Sequence, residues 1–482
     1  MEINNKTVFK NLIWRFAERI GAQGVALVVS IILARILEPE VYGQIALISV
    51  FQVILEVFVD SGLGSALIQK KNADEDDFTS VFCFNIILSV ILYGGFYAFT
   101  PIIANFYNDA SLIKMMRVAG ITILIAGVKN IQLAYVSRTM QFKKFFISTL
   151  GGTVTSGIIG IALAYKGYGA WALVVQNVSN AAIDTCILWI TVKWRPNGKL
   201  YLAKLRELIS YGWKLLVSAL IDNVYNNLRS LVIGKIYSAE DLAYYNKGMS
   251  WPNLVVTNIN TSIDSVLLPA MALEQEDKKR IKQMVKRSIG VSTYVMAPMM
   301  LGLFSIAPVL VSFLLTDKWL PIVPYMRIFC ITYLFYSVHT ANLNAIKAMG
   351  RSDLFLKLEI FKKIVGFVLL IVTMWFGPMI MAYSLLIECV LCQIINAWPN
   401  KKLLDYAYLE QLKDILPNLV IALIMSIIVS AMEWFNFSVV ITLLVQVVLG
   451  AIIYTVLSAI TRNENYIYLW DIINSRKGSL NK

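Results

Sequence analysis

Long apolar runs recur along almost the whole sequence, and they restrict the chain to folds that use lipid as a solvent. A helix needs about 20 apolar residues to cross the hydrocarbon core of a bilayer. The runs of about that length are fourteen in number, at residues 11–36, 41–68, 79–103, 111–136, 145–165, 169–192, 208–235, 248–271, 289–315, 321–347, 355–376, 378–398, 414–432 and 437–459. Glycine-containing hairpins near Gly167 and Gly377 divide two pairs of these runs.

The composition agrees with this pattern. The 482 residues are 58% hydrophobic and 15% charged, whereas soluble domains average ~45–50% apolar and ~25% charged residues. We therefore predict an all-α polytopic membrane protein with about 14 transmembrane helices. The formal charge of +13 comes from residues spread between the runs, so nucleic acid is not an expected partner.

The basic residues between the runs predict the orientation. Loops that follow even-numbered runs carry clusters such as Lys278-Lys279-Arg280, and odd-numbered loops carry few Lys or Arg residues. Cytoplasmic loops hold the excess of Lys and Arg. Both termini and the even-numbered loops are therefore predicted to be cytoplasmic. The first run carries Arg15, Glu18 and Arg19, so we expect it to remain in the mature protein rather than to act as a cleaved signal.

Similar segments occur in both halves of the chain, six predicted helices apart. The paired segments are residues 34–43 with 234–245, residues 60–68 with 264–270, and the acidic stretches 74–77 with 274–277. An even number of helices between copies predicts parallel repeats, as in transporters built from two lobes around an axis normal to the membrane.

Six motifs occur in order over roughly residues 10–400. They are Ala34-Arg35-Ile36-Leu37 through Tyr42-Gly43, Asp60-Ser61-Gly62-Leu63-Gly64, Gly167-Tyr168-Gly169-Ala170-Trp171-Ala172-Leu173, Val232-Ile233-Gly234-Lys235, Asp317-Lys318-Trp319-Leu320-Pro321 and Met349-Gly350-Arg351-Ser352-Asp353. Together they resemble the polysaccharide transporter branch of the multidrug, oligosaccharidyl-lipid and polysaccharide exporter superfamily, above all its Wzx-type flippases, which include colanic-acid-type members.

The resemblance implies two pseudo-symmetric six-helix lobes, two extra C-terminal helices and alternating access. The corresponding limits are 1–200 for the N-lobe, 201–402 for the C-lobe, and 403–482 for the last two helices and a cytoplasmic tail. The implied substrate is an undecaprenyl-pyrophosphate-linked oligosaccharide, which the protein would move across the bacterial inner membrane for surface-polysaccharide assembly. Its expected partners are this lipid-linked glycan, membrane lipids, and polysaccharide polymerase and assembly proteins.

Other functions stay open at this stage. A peptidoglycan-precursor flippase or a multidrug antiporter belongs to the same superfamily, and a drug antiporter should have a less cationic cavity. A membrane glycosyltransferase or polymerase would need an extended outer loop, and the odd-numbered loops are short. No glycine-rich phosphate loop with a following Lys-Ser/Thr is present. ATP-driven transport is therefore not expected, and we expect an H⁺ or Na⁺ gradient to drive transport. The single histidine argues against a multi-histidine metal site, and we expect no enzyme activity, no cofactor and no metal site.

Charged residues inside apolar runs are the candidate substrate contacts, because even one charge at a helix centre costs about 2.5–3.5 kcal/mol. Arg15 and Arg19 share a face of the first run. They would either bind the pyrophosphate or extend their side chains to the membrane surface, and related flippases also place arginines on this helix. The other cations predicted to line the cavity are Arg229, Lys129 and Arg327.

Acidic residues inside the runs are the candidate coupling groups. Asp222, Asn226 and Arg229 have the i, i+4, i+7 spacing of one helical face, so Asp222 and Asn226 would bind the ion, or Asp222 would compensate Arg229. Glu56 is the next candidate, with Asp60 one turn away; the two would share an ion or form part of a structural ion pair. Asp60 and its repeat-mate Asp264 are predicted gating residues near the cytoplasmic ends of their helices.

Overall fold

The computed structural model describes residues 5–435 and 437–480, with side chains for all of these except 5–13, 15–20, 473 and 475–480. Regular secondary structure in the described residues is entirely helical. The chain divides into two compact units, Met1–Ala243 and Tyr244–Lys482. The lobe limits at residues 200 and 402 remain predictions.

The first unit contains nine helices among its described residues, and a tenth begins at its end. They are α1 (Asn5–Ile36), α2 (Pro39–Asp60), α3 (Leu63–Gln69), α4 (Glu75–Tyr107), α5 (Ser111–Ala119), α6 (Ile121–Arg138), α7 (Lys143–Tyr165), α8 (Ala170–Thr191), α9 (Leu202–Ile236) and α10 (Ala239–Leu273).

The second unit contains most of α10 and eight further helices within the described part of the chain. They are α11 (Lys278–Leu315), α12 (Ile322–Leu334), α13 (Tyr336–Ala348), α14 (Ser352–Thr373), α15 (Pro378–Leu404), α16 (Tyr408–Ala431), α17 (Val439–Ile460) and α18 (Glu464–Leu480). Short 3₁₀ turns lie at Asp317–Trp319 and Met432–Phe435.

The prediction of an all-α polytopic membrane protein is confirmed. Ten helices of the described chain are long and apolar enough to cross a membrane. Predicted runs outside these ten coincide with α1, α9, α12 with α13, and α14, so the total of fourteen spans stays a prediction. The two hairpins are confirmed: Gly167 and Gly377 have φ angles of +79° and +106°, which suit glycine.

Three predicted runs are interrupted. The run 41–68 breaks after Asp60, where Ser61 and Gly62 have φ angles of +51° and +65°. The run 111–136 breaks at Gly120, and the run 321–347 breaks at Phe335. In the second half, α10 continues unbroken past Asp264 to Leu273, so the two repeats differ in local structure at this position.

Close backbone contacts fix α2 against neighbouring segments of the first unit. A Cβ atom at Gly43 would lie 1.7 Å from the carbonyl oxygen of Ala239, at the start of α10. A Cβ atom at Gly62 would lie 2.6 Å from the carbonyl oxygen of Gly212 in α9. Glycine is therefore required where these segments meet, since any side chain would force the backbones apart.

Acidic residues at the start of α4 join this helix to α9. Asp74 caps α4 by accepting the N–H of Asp77 at 3.0 Å, and the Asp77 carboxylate accepts the N–H of Asp74 at 3.1 Å. Lys204 of α9 binds Asp74, and this contact lowers the pKa of Asp74 to about 2. Lys70 bridges Asp77 at 3.1 Å and Glu207 at 2.9 Å. The acidic start of α4 is thus engaged in ion pairs, and Asp74 stays ionised at acidic pH values between its lowered pKa and the ordinary pKa of an aspartate.

A polar seam joins the C-terminal helices α16 and α17 to α11. The Ser305 and Ser426 hydroxyls lie 2.6 Å apart, and the amide of Asn418 donates to the carbonyl of Gly290 at 3.0 Å. The Tyr454 hydroxyl donates to the carbonyl of Tyr294 at 2.8 Å. These hydrogen bonds satisfy buried polar groups where water is absent, and so they fix the register of the added helices.

Gly43→Ala should destabilise the protein, because its methyl group would collide with the backbone at Ala239. We expect a loss of at least about 1–3 kcal/mol in the free energy of unfolding, the usual range for overpacking. Gly95→Ala in α4 is the matched control, since no heavy atom lies within 4 Å of its new Cβ atom. The control should be neutral or up to about 1 kcal/mol more stable. Thermal unfolding of the purified variants measures both, and equal stability of the two variants would contradict the packing described.

Candidate functional site

A line of polar side chains on α2 meets α6 inside the first unit. Gln52 is buried, and its amide donates to the carbonyl of Ala119 at 2.8 Å and to the Thr122 hydroxyl at 2.9 Å. Glu56, one turn further along α2, also has the Thr122 hydroxyl as a hydrogen-bond partner. Gln52 and Glu56 therefore share one partner, which fixes both side chains against α6.

Lys129 of α6 and Asp184 of α8 form an ion pair at 2.6 Å. Their side chains are 25% and 10% exposed, so the pair is largely removed from solvent. The charge of Lys129 also acts on Glu56. We call Glu56, Lys129 and Asp184 the charge cluster; it joins α2, α6 and α8.

The charge cluster carries two carboxylates against one ammonium group. With all three ionised, its formal charge is −1, from −2 on the acids and +1 on the lysine. An uncompensated charge inside a membrane protein is costly. Binding one proton or one monovalent cation would neutralise the cluster, and its chemistry therefore suits reversible ion binding.

Small residues allow the surrounding helices to approach closely enough to form the cluster. A Cβ atom at Gly152 of α7 would lie 2.9 Å from the side-chain oxygen of Asn180 and 3.0 Å from the Cβ atom of Asp184. A Cβ atom at Gly127 of α6 would lie 2.4 Å from the Ser89 hydroxyl of α4. Glycine at these positions lets α8 pack closely against α7 and α4 pack closely against α6, as is usual for membrane helices.

The predicted face of α9 is exposed at one end and buried at the other. Asp222 and Asn226 are exposed, and Arg229 is 7% exposed. The carboxylate and the amide are therefore accessible as ligands, while Arg229 lies within the packed unit. The coupling role of Asp222 and Asn226 and the substrate role of Arg229 remain predictions.

Asp60 and Asp264 occupy different surroundings. Asp60 ends α2, and its carboxylate accepts a hydrogen bond from the backbone of Gly62 in the helix break. Asp264 lies within α10 and accepts a hydrogen bond from the Asn344 amide of α13 at 2.7 Å. Asp60 thus stabilises a turn and Asp264 joins two helices; gating by either residue remains a prediction.

Three further cations, Arg15, Arg19 and Arg327, are predicted to line the cavity. Arg15 and Arg19 fall within α1, and their side chains lie outside the described residues. Arg327 of α12, in the second unit, donates to the carbonyl of Phe304 at 3.3 Å and lies over the Phe304 ring. No three His, Cys, Asp or Glu side chains in the described part of the chain lie together as a metal site.

The sequence prediction missed Asp184, Thr122 and Asn344. Asp184 could have been found from the sequence, because it is an acid within the apolar run 169–192 and must find a partner there. Nothing in the sequence distinguishes Thr122 and Asn344, since a threonine or asparagine in a membrane helix is common. Their importance follows from the helices that they face.

Comparisons with known proteins place the chain among polysaccharide biosynthesis proteins. The model of the family described as "Polysaccharide biosynthesis protein" matches residues 32–324. The succinoglycan biosynthesis transport protein ExoT of Rhizobium meliloti is 25% identical over 66% of this chain and 64% of that protein. The teichuronic acid biosynthesis protein TuaB of Bacillus subtilis is 25% identical over 63% of each chain. The matches to ExoT and TuaB thus span slightly less than two thirds of those proteins.

The lipopolysaccharide biosynthesis protein WzxC of Escherichia coli is 21% identical over 82% of this chain and 80% of that protein. Among solved structures, the lipid II flippase MurJ in an inward closed conformation matches 94% of this chain and 99% of its own, with a TM-score of 0.76 and 15% identity. An inward-facing multidrug MATE transporter matches 79% of this chain and 94% of its own, with a TM-score of 0.62 and 13% identity. At these identities the structural likeness shows the fold.

Lys129→Met should destabilise the first unit, because it leaves the Asp184 carboxylate without its cation. Breaking a buried pair costs about 3–5 kcal/mol, and the partial exposure of Lys129 places this pair near or below the lower limit. Asp184→Asn should recover much of that loss in the double variant, since no charge then remains unpaired. Unfolding free energies of the two single variants and the double variant give the coupling energy. The exposed Lys114→Met is the control, and strict additivity of the paired substitutions would contradict the ion pair.

Proposed function

The chain belongs to the polysaccharide biosynthesis protein family, as its motifs predict, and we propose that it is a flippase for an undecaprenyl-pyrophosphate-linked oligosaccharide. It moves this lipid from the cytoplasmic to the outer leaflet of a bacterial inner membrane by alternating access. The observation that supports the proposal most directly is the family match over residues 32–324 together with relatives named for polysaccharide transport and biosynthesis. The fold shared with the lipid II flippase MurJ supports movement of a lipid-linked substrate.

The physical problem of such a substrate is its polar head, because sugars and a pyrophosphate must pass through hydrocarbon while the polyprenyl tail stays in it. Arg15 and Arg19 on α1 and Arg229 on α9 are the proposed cations for the pyrophosphate. Arg327 is a further candidate. Lys129 is held by Asp184 and has a part in the charge cluster. Charge-assisted contacts to phosphate oxygens are strong, so a few arginines suffice to favour the head.

The proposed orientation places both termini and the even-numbered loops in the cytoplasm. It rests on the excess of Lys and Arg in those loops. The hairpins at Gly167 and Gly377 then face outward, and the ends of α8 and α10 face inward. A polysaccharide polymerase and assembly proteins are the proposed partners on the outer side, where the glycan emerges.

Deletion of this gene from its host should abolish the surface polysaccharide and cause the lipid-linked oligosaccharide to accumulate, because synthesis continues without export. Extraction and mass spectrometry of the lipid fraction measure the accumulated species. Wild-type chain should restore export, and the Gly95→Ala variant should restore it equally. Accumulation of lipid-linked peptidoglycan precursor would favour that flippase instead. Altered drug efflux with normal polysaccharide would favour an antiporter. Shorter polysaccharide with normal flipping would favour a polymerase.

Coupling to an ion gradient supplies the energy in this proposal. One charge moving through 100 mV releases about 2.3 kcal/mol. We propose Glu56 as the coupling carboxylate. The charge cluster has two carboxylates and one cation, and Lys129 is paired with Asp184, so Glu56 is the acid left to bind an ion. Asp222, with the accessible Asn226 one turn away, is the second candidate.

Glu56→Gln should abolish the response of transport to an imposed H⁺ or Na⁺ gradient, because the amide neither exchanges a proton nor attracts a cation. Downhill movement of a fluorescent polyprenyl-pyrophosphate oligosaccharide in proteoliposomes should persist. Asp222→Asn is tested in parallel, and its response should remain. A gradient response lost in Asp222→Asn and retained in Glu56→Gln would transfer the coupling site to α9. A normal response in both variants would exclude both carboxylates.

A further inference from the structure

An apolar groove with a basic rim lies between α14 and α15 in the second unit. Its volume is about 610 Å³, within the usual range of small-ligand sites. Leu358 and Phe361 of α14 and Ile395 and Trp398 of α15 supply its apolar wall. The groove does not overlap the charge cluster or any of the predicted transport residues.

The rim carries three cations: Arg351, Lys357 and Lys402. Asp353 neutralises Arg351 through a bidentate contact. The Nε and Nη2 atoms of Arg351 donate to the two carboxylate oxygens of Asp353, each at 2.9 Å. Lys357 and Lys402 are exposed and form no ion pair with a carboxylate of the described chain. The rim therefore presents two uncompensated positive charges directly beside an apolar wall.

The surface around the groove matches the level where hydrocarbon meets phospholipid headgroups. Trp398 is 68% exposed, as expected for an aromatic side chain at a membrane interface. Exposed apolar residues of α14, including Ile360 and Ile364, continue from the groove along the helix. Pro399 and Ile395 both line the groove. Because Pro399 has no N–H group, the carbonyl of Ile395 receives no helical hydrogen bond from it.

We infer that the α14–α15 groove binds an anionic phospholipid of the inner leaflet, with Lys357 and Lys402 on its phosphate and the apolar wall against its acyl chains. Charge complementarity selects an anionic headgroup, and continuity with the exposed apolar face of α14 selects a lipid from the surrounding bilayer. In the orientation proposed above, α14 begins and α15 ends at the cytoplasmic surface, where anionic lipids attract basic residues.

The test titrates the purified full-length protein with phosphatidylglycerol and counts bound lipids by native mass spectrometry. Lys357→Gln with Lys402→Gln should lower the affinity of the strongest site about 25-fold, or about fivefold for each lysine. Lys401→Gln with Lys413→Gln is the matched control. It removes two exposed lysines, one near the C-terminal end of α15 and one near the N-terminal end of α16, and neither residue lines the groove. The control should bind phosphatidylglycerol as wild type does.

Phosphatidylcholine with the same acyl chains should bind weakly to all variants, and the wild-type affinity for phosphatidylglycerol should fall as salt increases. Each single substitution is also measured, so the result does not depend on the double variant being folded. Equal loss in the groove and control variants, or unchanged affinity in the groove variant, would overturn the inference. Displacement of phosphatidylglycerol by stoichiometric undecaprenyl phosphate would also overturn it, because the groove would then be a substrate site. Lipid binding is measured without transport, so this outcome is independent of the proposed flippase activity.

Discussion

The absence of water from a bilayer's interior is the constraint on which the rest of this structure depends. Several buried polar side chains find partners on neighbouring helices, and those partners help to determine which helices meet. The Lys129–Asp184 pair joins α6 to α8. In the second unit, the Asn342 amide donates to Gln411 at 2.8 Å and its side-chain oxygen accepts from Asn400 at 2.6 Å, which joins α13, α15 and α16. Specific neighbours thus follow from a few polar contacts in an otherwise uniform apolar surface.

The helices were predictable from sequence because each apolar run in a bilayer must satisfy the hydrogen bonds of its own backbone, which a helix does. The hairpins were predictable because Gly167 and Gly377 punctuate long runs. The breaks at Ser61, Gly120 and Phe335 were not, since apolar residues continue on both sides of each break. The backbone at the breaks keeps local partners: the N–H of Ser61 donates to the carbonyl of Val57 at 3.0 Å, and the N–H of Gly120 donates to that of Met116 at 2.7 Å. An interruption packed within the protein therefore does not require a long run of polar residues.

The candidate site was predictable in its residues and much less so in its pairings. Glu56 and Lys129 were visible as charges inside apolar runs, because such charges are rare. Their partners, Thr122 for Glu56 and Asp184 for Lys129, depend on which helices are neighbours, and helical periodicity contains no information on that. For α9, the spacing of Asp222 and Arg229 predicts one face, yet the two residues differ in exposure because burial varies along a helix as well as around it.

The polar seam between α11 and the C-terminal helices has a consequence for biogenesis. Ser305 finds its partner Ser426 121 residues later in the chain, and Gly290 receives its hydrogen bond from Asn418 after 128 residues. While the ribosome synthesises the intervening helices, these groups of α11 lack their partners from α16, and the Ser305 hydroxyl has only the carbonyl of Leu301 in its own helix. The second unit therefore completes its packing only when its last spans have entered the bilayer, and quality-control proteases would recognise a chain that stops at α15 as unfinished.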